Sequence, residues 1–159
     1  MTISMSPIPG IPTALHRGEK DLPFVKFQEG EEYQLLHADV EAGLWVIRAR
    51  WQPGVTIQRH KHTGEVFAFT LQGSWKYLEY PEVNKAGSYL YEPAGSIHTL
   101  HVPETNAEVT DVWFAVRGAN LHLDDEGKVE SVLDAAAVLE AYLGLCQQNG
   151  YGRPNVIGA

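Results

Sequence analysis

His60-Lys61-His62-Thr63-Gly64-Glu65-Val66 and Gly87-Ser88-Tyr89-Leu90-Tyr91-Glu92-Pro93-Ala94-Gly95-Ser96-Ile97-His98 are the two stretches on which the reading of this chain turns. Alternate side chains of an extended strand share a face. The imidazoles of His60 and His62 therefore stand on one side, about 7 Å apart at the backbone and able to converge on one ion. A His-x-His pair by itself is common. The second stretch adds a starting glycine, strand-forming residues and a Pro-x-Gly corner, with a histidine three residues beyond Gly95. Such a corner can return His98 towards the strand that carries His60 and His62.

The segments around these stretches are short, β-branched or aromatic, and punctuated by Gly, Pro and Asn. Residues 44–51 read as a strand with Trp45, Ile47, Ala49 and Trp51 on one face and Leu44, Val46, Arg48 and Arg50 on the other. Further strands are predicted over 55–62, 66–71, 74–80, 88–92, 96–102 and 109–116. In the last, Val109, Asp111, Trp113 and Ala115 oppose Thr110, Val112, Phe114 and Val116. A hairpin is expected over 121–132, turning at Asp124-Asp125-Glu126-Gly127. One helix is predicted over 134–148, capped by Asp134, striped by Leu139, Tyr142, Leu143 and Cys146, and stopped by Asn149-Gly150. Pro7, Pro9, Gly10 and Pro12 make the first residues an extended lead-in. Many short strands with one late helix imply a β-sandwich or barrel. The expected division is a single domain over 1–159, with an arm over 1–30, a barrel over 32–132 and a helix over 134–148.

The chain has 159 residues, 44% of them apolar, and a net charge of −8. One globular domain with one core fits these values. Nucleic acid and anionic membranes are excluded as partners, because phosphate binding needs clustered Lys and Arg. The single cysteine, Cys146, rules out an intrachain disulfide or thiolate cluster and reads as a small buried hydrophobe. The stretch MTISMSPIPGIPTALHRGEKD has no charged region followed by an apolar run, so a cytoplasmic protein is expected. Of the seven histidines, His16, His37 and His122 read as scattered surface residues.

The two stretches resemble the cupin superfamily. Its first motif, G-x5-H-x-H-x(3,4)-E-x6-G, is met by Gly54, His60, His62 and Gly73. The second, G-x5-P-x-G-x2-H-x3-N, is met by Gly87, Pro93, Gly95 and His98. The resemblance implies an all-β, jelly-roll barrel with an N-terminal extended arm and a C-terminal helix. It also implies an interior divalent metal, in a homodimer or homotetramer. Two positions depart from the pattern. Glu65 follows His62 too soon for the motif acid, and Val102 replaces the final Asn. A three-histidine site is therefore expected, with Glu65 either a metal ligand or a solvent-facing turn residue. Within the superfamily, the chain is similar to the dioxygenases that cleave acetylacetone and 2,4′-dihydroxyacetophenone. This likeness implies iron(II) on His60, His62 and His98, with Glu92 as a carboxylate near the metal.

Imidazole suits iron, zinc, copper and nickel alike, so the donor type does not choose the metal. Three neutral imidazoles leave the charge of a divalent ion uncompensated and favour a bidentate enolate. A small enolisable ketone with O2 as co-substrate, cleaved at the C–C bond beside the carbonyl, is the expected reaction. Phe67, Phe69, Trp75, Tyr77, Tyr89, Tyr91 and Trp113 are the expected aromatic wall of the substrate pocket. Two alternatives use the same fold. One is a non-oxygenase isomerase, hydrolase or lyase holding zinc, manganese or nickel. The other is a binding or sensing module of the kind found in zinc-binding anti-sigma factors.

Overall fold

The computed structural model describes residues 8–159. Pro7, at the head of the expected arm, lies outside the described residues. The strands are β1 (Val25–Gln28), β2 (Glu31–Asp39), β3 (Leu44–Trp51), β4 (His60–His62), β5 (Val66–Gln72), β6 (Ser74–Tyr77) and β7 (Val83–Lys85). They continue with β8 (Tyr89–Glu92), β9 (Ile97–His98), β10 (Leu100–His101), β11 (Thr110–Arg117), β12 (Asn120–Leu123) and β13 (Val129–Leu133). The helix α1 covers Ala135–Gln148. A six-stranded sheet runs β1-β2-β3-β11-β5-β8, a four-stranded sheet runs β13-β12-β4-β9, and a three-stranded sheet runs β10-β6-β7. All the ladders between these strands are antiparallel, as a jelly roll requires.

β3 takes the expected bounds, and its faces divide as the alternation requires. Trp45, Ala49 and Trp51 are buried, while Arg48 and Arg50 point to the other side. There Arg48 makes a bidentate pair with Asp111 at 2.7 and 2.8 Å, and Arg50 Nε donates to the same carboxylate at 2.9 Å. Both guanidiniums also reach Glu19, and Arg50 stacks 3.9 Å over the Phe24 ring. This fixes the lead-in segment across the outside of the six-stranded sheet. The ladder also begins earlier than expected, since β1 lies inside the stretch read as an arm.

Two predicted strands are broken by a change of partner. Residues 55–57 bond across to 100–102, but β4 pairs with β9 and β12, so the chain changes sheets near Gln58-Arg59. The 96–102 strand splits into β9 and β10 at Thr99, whose N–H and hydroxyl both donate to Glu79 at 2.8 Å. Gly95 takes a φ of 88°, a left-handed turn that a side chain would strain, just before β9 returns alongside β4.

α1 starts at Asp134, whose side chain accepts from the Ala137 N–H at 2.8 Å. Ala135, Val138, Tyr142 and Cys146 form its buried stripe, with Leu139 and Leu143 flanking it. The Tyr142 hydroxyl donates to the Pro23 carbonyl at 2.7 Å and joins the helix to the chain entering β1. No helix among the described residues is long and apolar enough to cross a membrane.

Candidate metal centre

His60 and His98 are register partners across the β4–β9 ladder, and His62 lies two residues along on the same face. The chain is held there by His62 N–H to Ser96 at 3.0 Å and Gly95 N–H to His62 at 2.7 Å. All three side chains are buried. Their ring centroids form a nearly equilateral triangle, 4.8, 4.9 and 4.9 Å on its sides. One ring nitrogen from each lies within 4.8 Å of the others. The Nε2 atoms of His62 and His98 are 3.0 Å apart.

Glu92 completes the cluster. Its Oε2 lies 2.7 Å from His62 Nε2 and 3.3 Å from His98 Nε2, yet this buried oxygen has no hydrogen-bond partner. Its Oε1 accepts the Tyr77 hydroxyl, and the Tyr77 ring stacks on His98 at 3.7 Å. Donors bound about 2.1 Å from one ion at tetrahedral or octahedral angles stand about 3.0–3.4 Å apart. The His62 Nε2–His98 Nε2 and His98 Nε2–Glu92 Oε2 separations, 3.0 and 3.3 Å, match that spacing, and the Glu92 oxygen is otherwise orphaned. These residues fit a divalent cation.

Protonation favours the same reading. Burial, reinforced by the neighbouring His62, pushes the His60 pKa down to about 3, so the ring is neutral. The Gln58 carbonyl lies 2.8 Å from His60 Nδ1 and accepts its proton, which leaves Nε2 as the lone-pair donor. Burial would raise the Glu92 pKa, but the His62 and His98 imidazoles outweigh it and hold the carboxyl below its ordinary range. In metal-free protein the His60 shift has a defined sign. The unfolded chain takes up a proton near 6.5 that the folded chain refuses until about 3. This contribution to stability is whole above pH 6.5 and is lost as pH falls towards 3. The loss approaches about 1.4 kcal/mol per pH unit well below the upper limit. Thermal melts of chelator-treated protein should show a falling Tm between pH 7.5 and pH 5 and a shallower fall in His60→Gln. Equal slopes in the two proteins would contradict the shift.

His60 and His62 border a cavity of about 560 Å³ that opens to solvent beside the exposed Gln28, Thr56, Gln58 and Ser131. One wall comes from inward residues of the six-stranded sheet, including Tyr33, Trp45, Trp51 and Phe114; the facing wall comes from β4, β12 and β13. Neither Lys nor Arg lines it. Glu92 and His98 stand behind the lining, while His60 and His62 reach it.

Of the aromatic residues expected on the pocket wall, Tyr77 is the one that lines this cavity. Trp75 is fully buried behind it, edge-on to Tyr77 and Trp51. Phe67, Phe69, Tyr89, Tyr91 and Trp113 lie on the other side of the sheet, where the register sets Trp113 beside Phe69 and Phe69 beside Tyr89. The reason is size. β5 turns Val66, Ala68 and Thr70 inward, and these small residues leave room for Trp75 and the cavity. Glu65 is likewise no part of the cluster. Its carboxylate accepts the exposed Tyr91 hydroxyl at 2.9 Å, on the outward side of the chain just before Val66 turns in. Val102, at the motif's Asn position, is a fully buried core residue.

His122, expected on the surface, lines the cavity 6.1 Å from the His60 ring, and Asn120 lies beside it. The β12 register sets Asn120 opposite His62 and His122 opposite His60. Burial lowers the His122 pKa, and its Nδ1 meets Ser131 Oγ at 2.9 Å. The sequence signal was an Asn-x-His pair on a hairpin strand, and it acquires meaning once that strand pairs with β4.

Residues 15–119 match the family model described as the ChrR cupin-like domain. A Ralstonia eutropha protein of unknown function with a cupin-like fold is 33% identical, with 96% of each chain covered and a TM-score of 0.87. An RmlC-like cupin from the same organism is 28% identical, with 89% of this chain and 93% of that one covered and a TM-score of 0.83. The acetylacetone dioxygenase of Acinetobacter johnsonii shares the fold at 20% identity, with 91% and 99% covered and a TM-score of 0.73. No curated protein matches the sequence.

Proposed function

For this chain, which belongs to the ChrR cupin-like domain family, we propose the activity of a mononuclear non-haem iron(II) dioxygenase. Its substrate is a small enolisable ketone of β-diketone or hydroxyacetophenone type, cleaved at the C–C bond beside the carbonyl. The observation that carries the reading is the convergence of three buried imidazoles, two of which, His60 and His62, reach a largely apolar cavity without Lys or Arg.

Iron(II) held by His60, His62 and His98 would supply Lewis acidity for the enolate and reducing electrons for O2. The protein's own groups do the rest. His60, kept neutral by burial and held as the Nδ1–H tautomer by the Gln58 carbonyl, offers its Nε2 lone pair. Glu92, anchored by Tyr77, sets its Oε2 against the Nε2 atoms of His62 and His98 and compensates one positive charge. The Leu, Ile, Val and aromatic lining excludes water, which strengthens the attraction between cation and enolate. Asn120 and His122 present polar atoms on the cavity side beside β4, where they can hold substrate oxygens, and neutral His122 can accept the proton released on enolisation. The outward aromatics Phe69, Tyr89 and Tyr91 support the companion proposal of a homodimer or homotetramer.

Protein reconstituted anaerobically with Fe(II) should consume oxygen with acetylacetone or 2,4′-dihydroxyacetophenone and release two carbonyl products. No uptake across a panel of enolisable ketones would reject the reading. A second reading, a non-oxygenase cupin holding zinc, manganese or nickel, rests on the same three imidazoles, which do not discriminate among these metals. Elemental analysis of protein purified without chelators separates the two, and zinc in a protein inert to every ketone would favour a sensing module.

A further inference from the structure

One acidic side chain lines the cavity, and the proposed chemistry makes no use of it. Glu31 opens β2 and lies on the wall formed by the six-stranded sheet, whereas His60 and His62 belong to the four-stranded sheet. It is buried and has no ion-pair partner among the described residues. A buried carboxyl in an aromatic cavity is costly unless its oxygens are used.

A fixed relay uses one of them. Trp51 Nε1 can only donate, and it does so to the Tyr33 hydroxyl at 3.1 Å. The Tyr33 hydrogen is thereby directed to Glu31 Oε2 at 2.9 Å. Phe27 packs edge-on against the Tyr33 ring at 5.0 Å and holds it in place. The relay orients the carboxyl and leaves Oε1 as a free acceptor.

We infer that Glu31 is a specificity-determining residue of the cavity, selecting a substrate whose far end is a neutral hydroxyl, phenolic or alcoholic, and rejecting one whose far end is anionic. The inference rests on the reading of the cavity as a ketone site and names the other end of that ketone. A hydroxyl donates to Glu31 without carrying charge into an apolar cavity. A carboxylate or phosphate would meet Glu31 with no Lys or Arg on the wall to offset the repulsion. An ammonium would have to shed its water among aromatic and aliphatic side chains.

The test uses chelator-treated, metal-free protein, so that failure of the iron chemistry and failure of this inference are distinguishable. Trp45 and Trp51 line the cavity and report occupancy by fluorescence. Three probes of similar shape are titrated: 4-hydroxyacetophenone, acetophenone and 4-acetylbenzoate. The hydroxylated probe should bind about tenfold or more tighter than acetophenone, the usual scale of one hydrogen bond to a charged acceptor, with 4-acetylbenzoate weakest. Glu31→Gln, which keeps the shape, should reduce the preference to below about threefold and improve binding of 4-acetylbenzoate. Tyr33→Phe, which leaves the carboxyl but removes its orienting donor, should give an intermediate preference. Failure of the hydroxylated probe to bind, equal binding of all three by wild type, or a preference unchanged in Glu31→Gln would each overturn the inference.

Discussion

His98→Ala is expected to remove almost all bound metal and all oxygen uptake while the protein still folds. His98 contributes one of three imidazoles at the proposed centre, and its loss leaves His60, His62 and a Glu92 carboxylate whose Oε1 is already held by Tyr77. Loss of a neighbour that merely orients a ligand costs about 10–100-fold in affinity, and loss of the ligand itself should exceed that. The fold survives because β9 is held by backbone ladders to β4, which the side chain does not touch. The vacated volume under Tyr77, which stacks on the ring at 3.7 Å, costs about 1–3 kcal/mol. That corresponds to about 2–4 °C of Tm per kcal/mol in a domain of this size. His101→Ala is the control, since His101 bonds Thr56 at 2.8 Å away from the cluster and its loss should leave metal content unchanged. Metal analysis with a thermal melt decides the matter. Full metal occupancy in His98→Ala would remove His98 from the ligand set and with it the proposed centre.

Glu92→Gln carries the second large effect. The amide can still accept the Tyr77 hydroxyl, so the buried contact is kept while the negative charge is lost. Metal affinity should fall by about 10–100-fold in a chelator competition, and turnover with iron restored should fall as well. Glu92→Ala should be worse in stability, because the buried Tyr77 hydroxyl then loses its acceptor, at about 1–3 kcal/mol. A Glu92→Gln protein that competes for metal like wild type would show the carboxylate to be only a packing element.

The His-x-His pair, the Pro-x-Gly corner and the third histidine were legible because their meaning is local: strand period and turn geometry place the side chains. The substrate wall was not legible in the same way. Alternation along β5 and β11 tells that Phe67 and Phe69 share one face and that Trp113 shares its face with Asp111. It does not tell which face is inside, because both faces of β5 are apolar. Asp111 resolves this in the structure, since its bonds to Arg48 and Arg50 place that face outside.

The sequence by itself determined the all-β class, the bounds of β3, the capped terminal helix and the His-x-His pair with its returning third histidine, each written in spacing that neighbouring residues enforce, while the jelly roll came from the resemblance its motifs carry. Only the tertiary structure decided that Glu92 joins the cluster and Glu65 does not, that His122 and Asn120 line the cavity, and that Glu31 faces it from another sheet. These residues belong to separate segments, and nothing within one strand specifies which strand lies across from it. That assignment comes from burying large and small faces against each other, a property of the packed sheets as a whole.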